Sequence, residues 1–409
     1  MVLAAQSRAP PRAGGAAGLL QKQPPPPPLF HEAAVWLRGF PGPHTVLFTS
    51  NRLGDLSTPN QSVSLTLVDP TGAAAPKPVL RPSPPDAAPM ANGGTLVPGT
   101  GGAVVLIDYQ GQGRRGGGLA ALNVATGEVK DVVSRVGAGG GRFSSPNDVV
   151  IVPLPSRAQP AGANATSGRY AVALFSDPAY GFDQQFRTGE PDVGEYVWAV
   201  TLRLPPTPGP GPAAASAARR RWWPEAVGPA RVVAGGFVRP NGLAISPDRR
   251  TAYISDTGYV SGGGTVSNGL IDTAMAGPPL RTWSSRPAAV YAFDLVFAGA
   301  SPPSVVLDNR RMFAVADVGA PDGLHCDADG RLWSGEGDGV SAYEPDTGRL
   351  LLRVRPGAGG GARAEGVANF AIVGGGAGGG GLLVMGQEQA ATAVRLPGLR
   401  AFNIDSWLD

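Results

Sequence analysis

Six acid or amide side chains stand at matching places in the chain: Glu32 (HEAAVWL), Asn92 (NGGTLV), Asn147 (PNDVVIV), Asn241 (PNGLAIS), Asp322 (PDGLHCD) and Glu365 (EGVANFAIV). Each opens an apolar run. Three of them share the string Pro-[Asn/Asp]-[Gly/Asp], at Pro146, Pro240 and Pro321. Brought to one place, carboxylate and amide oxygens without thiolate or imidazole suit a hard cation such as Ca²⁺. Softer chemistry is poorly supplied. Cys326 is the one cysteine, which excludes an intrachain disulfide and a Cys-built zinc or iron–sulfur site. The three histidines, His31, His44 and His325, are scattered, and a Ser-His-Asp triad would need one of them as its base. The competing reading is turn chemistry, since Asn and Asp before Gly tolerate positive φ and bond their own backbone. Sixfold recurrence argues for a shared place instead, and so does Glu32, because Glu is not a turn residue.

The elements that must position these residues form a repeat. A second β-rich run follows each opening: TVLFTSN (45–51), AVVLIDYQG (103–111), YAVALFSDP (170–178), TAYISDTG (251–258), RLWSGEGDG (331–339) and LLVMGQE (382–388). A third alternating run follows that, such as EYVWAVTL (195–202) or AAVYAFDL (288–295). Helical periodicity is nearly absent, and Gly/Pro punctuation separates the runs. Strand–turn–strand–turn–strand units at this period predict an all-β fold, a six-bladed β-propeller. In a propeller the innermost strands line a central channel, so equivalent residues at their starts converge at one of its ends.

Composition narrows the partners. Of 409 residues 42% are apolar, enough for a large core, although Gly 61 and Pro 42 make about a quarter of the chain turn-formers. The net charge of +3 with 16% charged residues does not call for nucleic acid, and the small lysine count (Lys22, Lys77, Lys130) reads as composition bias. No apolar run approaches the roughly 20 residues of a membrane helix, so neither nucleic acid nor membrane is expected as a partner. The expectation is a soluble monomer. Residues 1–28 hold no acid, three basic residues and the run Pro24–Pro28. They read as a disordered leader without a secretory h-region, so the cytoplasm is expected, and their composition also suits an organellar transit peptide. Residues 29–409 read as one propeller with low-complexity insertions near 204–220 and 259–285.

The strings FHEAAVW, FSSPNDVV, RPNGLAISPD and APDGLHCDADGRLW resemble the SMP-30/gluconolactonase family of six-bladed propellers. SDPAYGF and SGEGDGVSAYEPDTGRL are closer to its fungal-type lactonohydrolase branch. The resemblance runs from about Leu29 to the C-terminus. It implies one divalent cation, commonly Ca²⁺, held by Glu32, Asn241 and Asp322, with Asn147 beside the metal and the substrate. It also implies hydrolysis of a small lactone, such as an aldonolactone, to its hydroxy acid. Asp322 would then serve as the proton acceptor and Asn147 would orient the substrate. Asn92 and Glu365 receive no role from it. A paraoxonase-like calcium esterase, a strictosidine-synthase-like enzyme and a non-enzymatic binding propeller share the architecture and stay open.

The remaining polar residues read as structural. Asp108, Asp177, Asp256 and Glu336 end second strands, where an acid can accept backbone N–H groups. Strand alternation turns His31 away from Glu32, so no histidine is expected beside the channel site. His325 is not expected as a ligand. Trp36, Trp198, Trp283 and Trp333 are expected to pack between blades, and Cys326 to be a small buried hydrophobe.

Overall fold

The computed structural model describes residues 2–4 and 28–408, apart from 39–41, 57, 72–76, 79–85, 138–139, 165–166, 207–222, 261–264, 268–269, 273–281, 300–301, 357–365 and 375–379. Most of the 1–28 leader, most of both expected insertions, and Glu365 therefore lie outside the described residues.

Among the described residues six antiparallel sheets of four or five strands follow one another along the chain, besides two short two-stranded ribbons. Their innermost strands are Glu32–Trp36, Ala91–Leu96, Val149–Pro153, Pro240–Ile245, Leu324–Cys326 and Phe370–Val373. The second strands, such as Val104–Tyr109 and Tyr170–Asp177, pair on one side with these and on the other with third strands such as Gly118–Asn123 and Tyr196–Arg203. This is the six-bladed β-propeller that the repeat predicts. Each blade also has a fourth, outer strand that the three-strand repeat does not show. Outer strands are half in water, so their alternation is blurred: Leu350–Val354 exposes three of its five residues and Arg231–Ala234 two of its four. The outer strand of the sixth blade is Val2–Ala4, from the stretch read as a leader, paired with Ala390–Thr392. Among the described residues no helix is long and apolar enough to cross a membrane.

Period-2 alternation explains the core. Both faces of an inner blade strand meet a neighbouring blade, so successive side chains feed two different cores. Val105 and Ile107 join Val35 and Leu47 of the first blade, whereas Val104 and Leu106 join Ile151 and Phe175 of the third. Six apolar clusters among the described residues result, one for each interface between blades. Trp198 and Trp333 lie in two of them, as expected.

At one end of the channel a polar bond spans every one of these interfaces. Thr49 Oγ1 donates to the carbonyl of Asn92 (2.7 Å), and Asn92 Nδ2 donates to the carbonyl of Asn147 (2.7 Å). Asp148 Oδ2 accepts from the Leu243 amide (2.7 Å), and Ser255 Oγ donates to the carbonyl of Asp322 (2.8 Å). The Gly323 amide donates to the Ala368 carbonyl (2.8 Å), and Asn369 Nδ2 closes the circle on Glu32 Oε2 (3.1 Å). Toward the other end lies a cavity of about 160 Å³, lined by every blade and floored by Phe402, Ile404 and Trp407 of the C-terminal segment. Trp407 Nε1 donates to the carbonyl of Pro247 (2.7 Å), and Asp405 Oδ1 accepts from the Gly99 amide (2.8 Å), so the segment ties blades together as it closes the floor.

Candidate functional site

The starts of the inner strands carry Glu32, Asn147, Asn241 and Asp322 to the stitched end of the channel. Turn chemistry does not account for them. None of Gly93, Gly242 and Gly323, which follow Asn92, Asn241 and Asp322, takes a φ in the left-handed region. Glycine is required there by close approach instead: a Cβ on Gly242 would lie 2.1 Å from the carbonyl oxygen of Asp322. The blades converge so tightly at this end that only backbone fits between them.

Glu32, Asn147 and Asn241 are each 4% exposed or less. Glu32 Oε2 accepts from Asn369, and Asn241 Nδ2 lies 3.5 Å from Thr257 Oγ1. Asn147 Oδ1 and Asp322 Oδ1 are buried without a hydrogen-bond partner among the described residues. Burial pushes Glu32 well up from the ordinary carboxylate range, and the Asp322 charge adds to that. Burial likewise raises Asp322, and it raises Asp148, where the charge of Asp108 adds to it. Several carboxylates thus crowd one desolvated place, an arrangement that a cation would neutralise. Among the described residues no three His, Cys, Asp or Glu side chains gather closely enough to ligate an ion alone, so amide oxygens would have to share the work. The donor set, all oxygen with two orphaned buried atoms, fits a hard cation.

One expectation is overturned. His31 does not turn away from Glu32: its Nε2 lies 3.8 Å from Glu32 Oε1, and its Nδ1 bonds Glu388 Oε1 at 2.7 Å. The reason is local: His31 sits in a bend before the strand, which begins at Glu32, so strand alternation does not govern this pair. The strand itself bulges directly after Glu32, where Ala33 and Ala34 take left-handed φ (63° and 47°) and the pairing slips before Val35. A reciprocal backbone bridge between Phe30 and Glu388 sets the carboxylate against the imidazole. Burial would lower His31, but Glu388, with Glu32 and Asp322 behind it, holds it up at about 9. A histidine therefore does border the site.

The other candidates separate by contact. Asn92 is a clamp on the Asn147 backbone. Asn369, not singled out in the sequence, stands at the sixth inner strand and touches Glu32; its one sequence signal is an amide directly before the apolar run FAIV. Asp177 accepts from the Ser144 and Ser145 amides (3.0 and 2.8 Å), and Asp256 from Val238 and Arg239 (3.0 and 2.9 Å). Glu336 is held by Ser341, Tyr343 and Arg353. These three are structural, as their strand-end positions predict. Asp108 departs from them: it is fully buried, both its oxygens lack a well-formed bond among the described residues, and burial pushes it up to about 7. His325 packs edge-on against Phe370, and burial lowers it to about 4. Burial raises the Cys326 thiol well above its ordinary range.

No family model matches the chain. Over 141 residues it is 31% identical to a lactonohydrolase of Aspergillus oryzae, a stretch that is 34% of this chain and 29% of that protein. Over 209 residues it is 23% identical to a gluconolactonase of Zymomonas mobilis, covering 51% of this chain and 40% of that one. The matched stretches thus span less than half the length of these relatives. A solved gluconolactonase from Xanthomonas campestris superposes with a TM-score of 0.51 at 20% identity, over 90% of this chain and 88% of that one. At that identity the likeness establishes the fold.

Proposed function

We propose that this protein hydrolyses a small lactone, an aldonolactone or a similar ring, to its hydroxy acid, and that it does so with one divalent cation, Ca²⁺ first among the choices. The observation that carries the reading is the pair of buried, unpartnered oxygens, Asn147 Oδ1 and Asp322 Oδ1, at the same channel end as Glu32. The names of the partial relatives point to the same reaction. Glu32, Asn147, Asn241 and Asp322 would hold the cation, which would supply Lewis-acid polarisation of the lactone carbonyl.

The chain's own residues supply the rest. Asp322 accepts the proton of the attacking water as that oxygen adds to the carbonyl carbon. When the ring C–O bond breaks, the same carboxyl returns the proton to the departing ring oxygen, so one water is consumed and one hydroxy acid leaves. Asn147 orients the substrate through its amide. Asn369 fixes the Glu32 carboxylate by its bond to Oε2.

A panel of small lactones, followed with a pH indicator, tests the reading. Acid release from at least one lactone should fall more than tenfold with EGTA and return with Ca²⁺. Inactivity on every lactone at saturating Ca²⁺ would sink the hydrolase reading, and turnover indifferent to EGTA would sink the cation. Turnover retained by Asp322→Asn, once Ca²⁺ is saturating, would remove Asp322 from the role of proton acceptor.

A further inference from the structure

Asn241 presents a chemical problem that its own strand does not solve. A primary amide has an oxygen end that attracts a cation and an N–H end that repels one, and a rotation of χ2 exchanges them. Next to the Asp322 carboxylate both ends have a use, so something must select between them.

The selecting groups come from the neighbouring loops. After Asp177 the chain forms a short helix, Tyr180–Asp183, which buries the Tyr180 ring to 4% exposure. The loop is pinned from the third blade: Ser145 Oγ donates to the Pro178 carbonyl (2.7 Å) and accepts from the Gly181 amide (2.9 Å). Gly181 packs closely there: a Cβ would lie 2.4 Å from Arg187 Cγ and force that side chain to shift. From the fourth blade, Arg239 lays its guanidinium 5.9 Å from the Tyr180 ring centre and pairs with Asp183 (2.6 Å) and with Glu195. The hydroxyl at the far end of this locked ring bonds Thr257 Oγ1 and also interacts with Asn241. Thr257 is itself fixed, its amide donating to the Arg239 carbonyl (2.9 Å). Thr257 Oγ1 in turn faces Asn241 Nδ2.

We propose that Tyr180 is a positioning residue of the cation site: through Thr257 it draws the N–H end of the Asn241 amide away from the channel and leaves the carbonyl oxygen for the cation. This rests on the cation reading above. The third blade thereby sets a ligand carried by the fourth, and the loop after Asp177 acquires a task that its sequence does not announce.

The test is calorimetric titration of Ca²⁺ into full-length wild type, Tyr180→Phe, Thr257→Val and the double variant, each first stripped with EGTA. Tyr180→Phe keeps the ring against Arg239 and removes only the hydroxyl; Thr257→Val keeps the shape and removes only Oγ1. Each single variant should bind Ca²⁺ tenfold or more weakly, within the range seen when an outer-shell partner of a metal ligand is lost. The double variant should be no weaker than the weaker single one, because both cut one relay. Should Tyr180→Phe fail to fold, Thr257→Val carries the same test. Affinity within twofold of wild type in the single variants overturns the proposal, as does additivity in the double. Retained affinity with lost turnover overturns it too, since the hydroxyl would then act on substrate. If wild type takes up no Ca²⁺, the cation reading fails and the proposal falls with it; uptake by wild type and Tyr180→Phe alike overturns the proposal alone.

Discussion

Glu32 and Asp322 are two carboxylates that burial drives toward protonation, with the Asp322 charge adding to the drive at Glu32 and the Glu388 charge at Asp322, and each sits where a cation would reverse that drive. Glu32→Gln keeps the shape and removes the charge, and Asp322→Asn also removes the proton acceptor. Both should weaken Ca²⁺ binding at least tenfold by calorimetry, and Asp322→Asn should stay inactive at saturating Ca²⁺. Asn92→Ala removes a bond to a backbone carbonyl and should cost about 1 kcal/mol of stability with a much smaller change in affinity. The reverse order of affinities would refute the ligand assignment.

Asp108 allows a prediction at the same scale that is independent of any ion. Its folded pKa of about 7 lies above the ordinary 3.8. Between those values the folded state holds a proton that the unfolded state has lost, so this group's contribution to stability falls as pH rises from about 4 to 7 and is flat above. Asp108→Asn lacks the burial penalty. It should match wild type near pH 4 and be more stable at pH 8, by on the order of 4 kcal/mol. Urea melts at the two pH values decide it, and equal stabilities at pH 8 would mean that the carboxylate is well solvated or paired.

At the scale of the element, the first inner strand is the one described inner strand that holds non-glycine residues in the left-handed region, Ala33 and Ala34. Ala33 is in the left-handed region, where a non-glycine residue stores about 1–3 kcal/mol. In an ordinary strand Val would be welcome and Gly would cost about 1 kcal/mol. Here the order should invert: Ala33→Gly within about 1 kcal/mol of wild type, Ala33→Val destabilised by more than 2 kcal/mol. Thermal melts of both variants check this, and a Val variant as stable as the Gly variant would show that the bulge is absent. The bulge directly follows Glu32. Its strain therefore lies at the candidate site, and it is invisible to a period-2 reading of HEAAVW.

At the scale of the whole molecule, the two channel ends are closed by different means. The upper end is a ring of polar bonds between blades, made by residues far apart in sequence. The lower end is a plug: Trp407 is 7% exposed, lies 4.8 Å from the Phe402 ring centre, and bonds Pro247 across the channel floor. Trp407→Ala should destabilise the protein by about 3–5 kcal/mol. Denaturant titration reads that loss, and a change below about 1 kcal/mol would mean that the segment merely rests on the propeller.

The chain alone determined the strand repeat, the blade count and the recurring openings at Glu32, Asn147, Asn241 and Asp322, because each of these is local. Alternation, punctuation and spacing are set by neighbours a few residues away, and each blade repeats them. The tertiary structure decided what depends on contacts between blades. Asn369 meets Glu32 from 337 positions away, and Glu388 meets His31 from 357. Tyr180 reaches Thr257 across 77. The outer strands and the plug belong to the same class, since half-exposed or terminal segments carry little periodic signal and gain their place only from the surface that receives them. Strand pattern records which face is buried. It does not record which partner buries it.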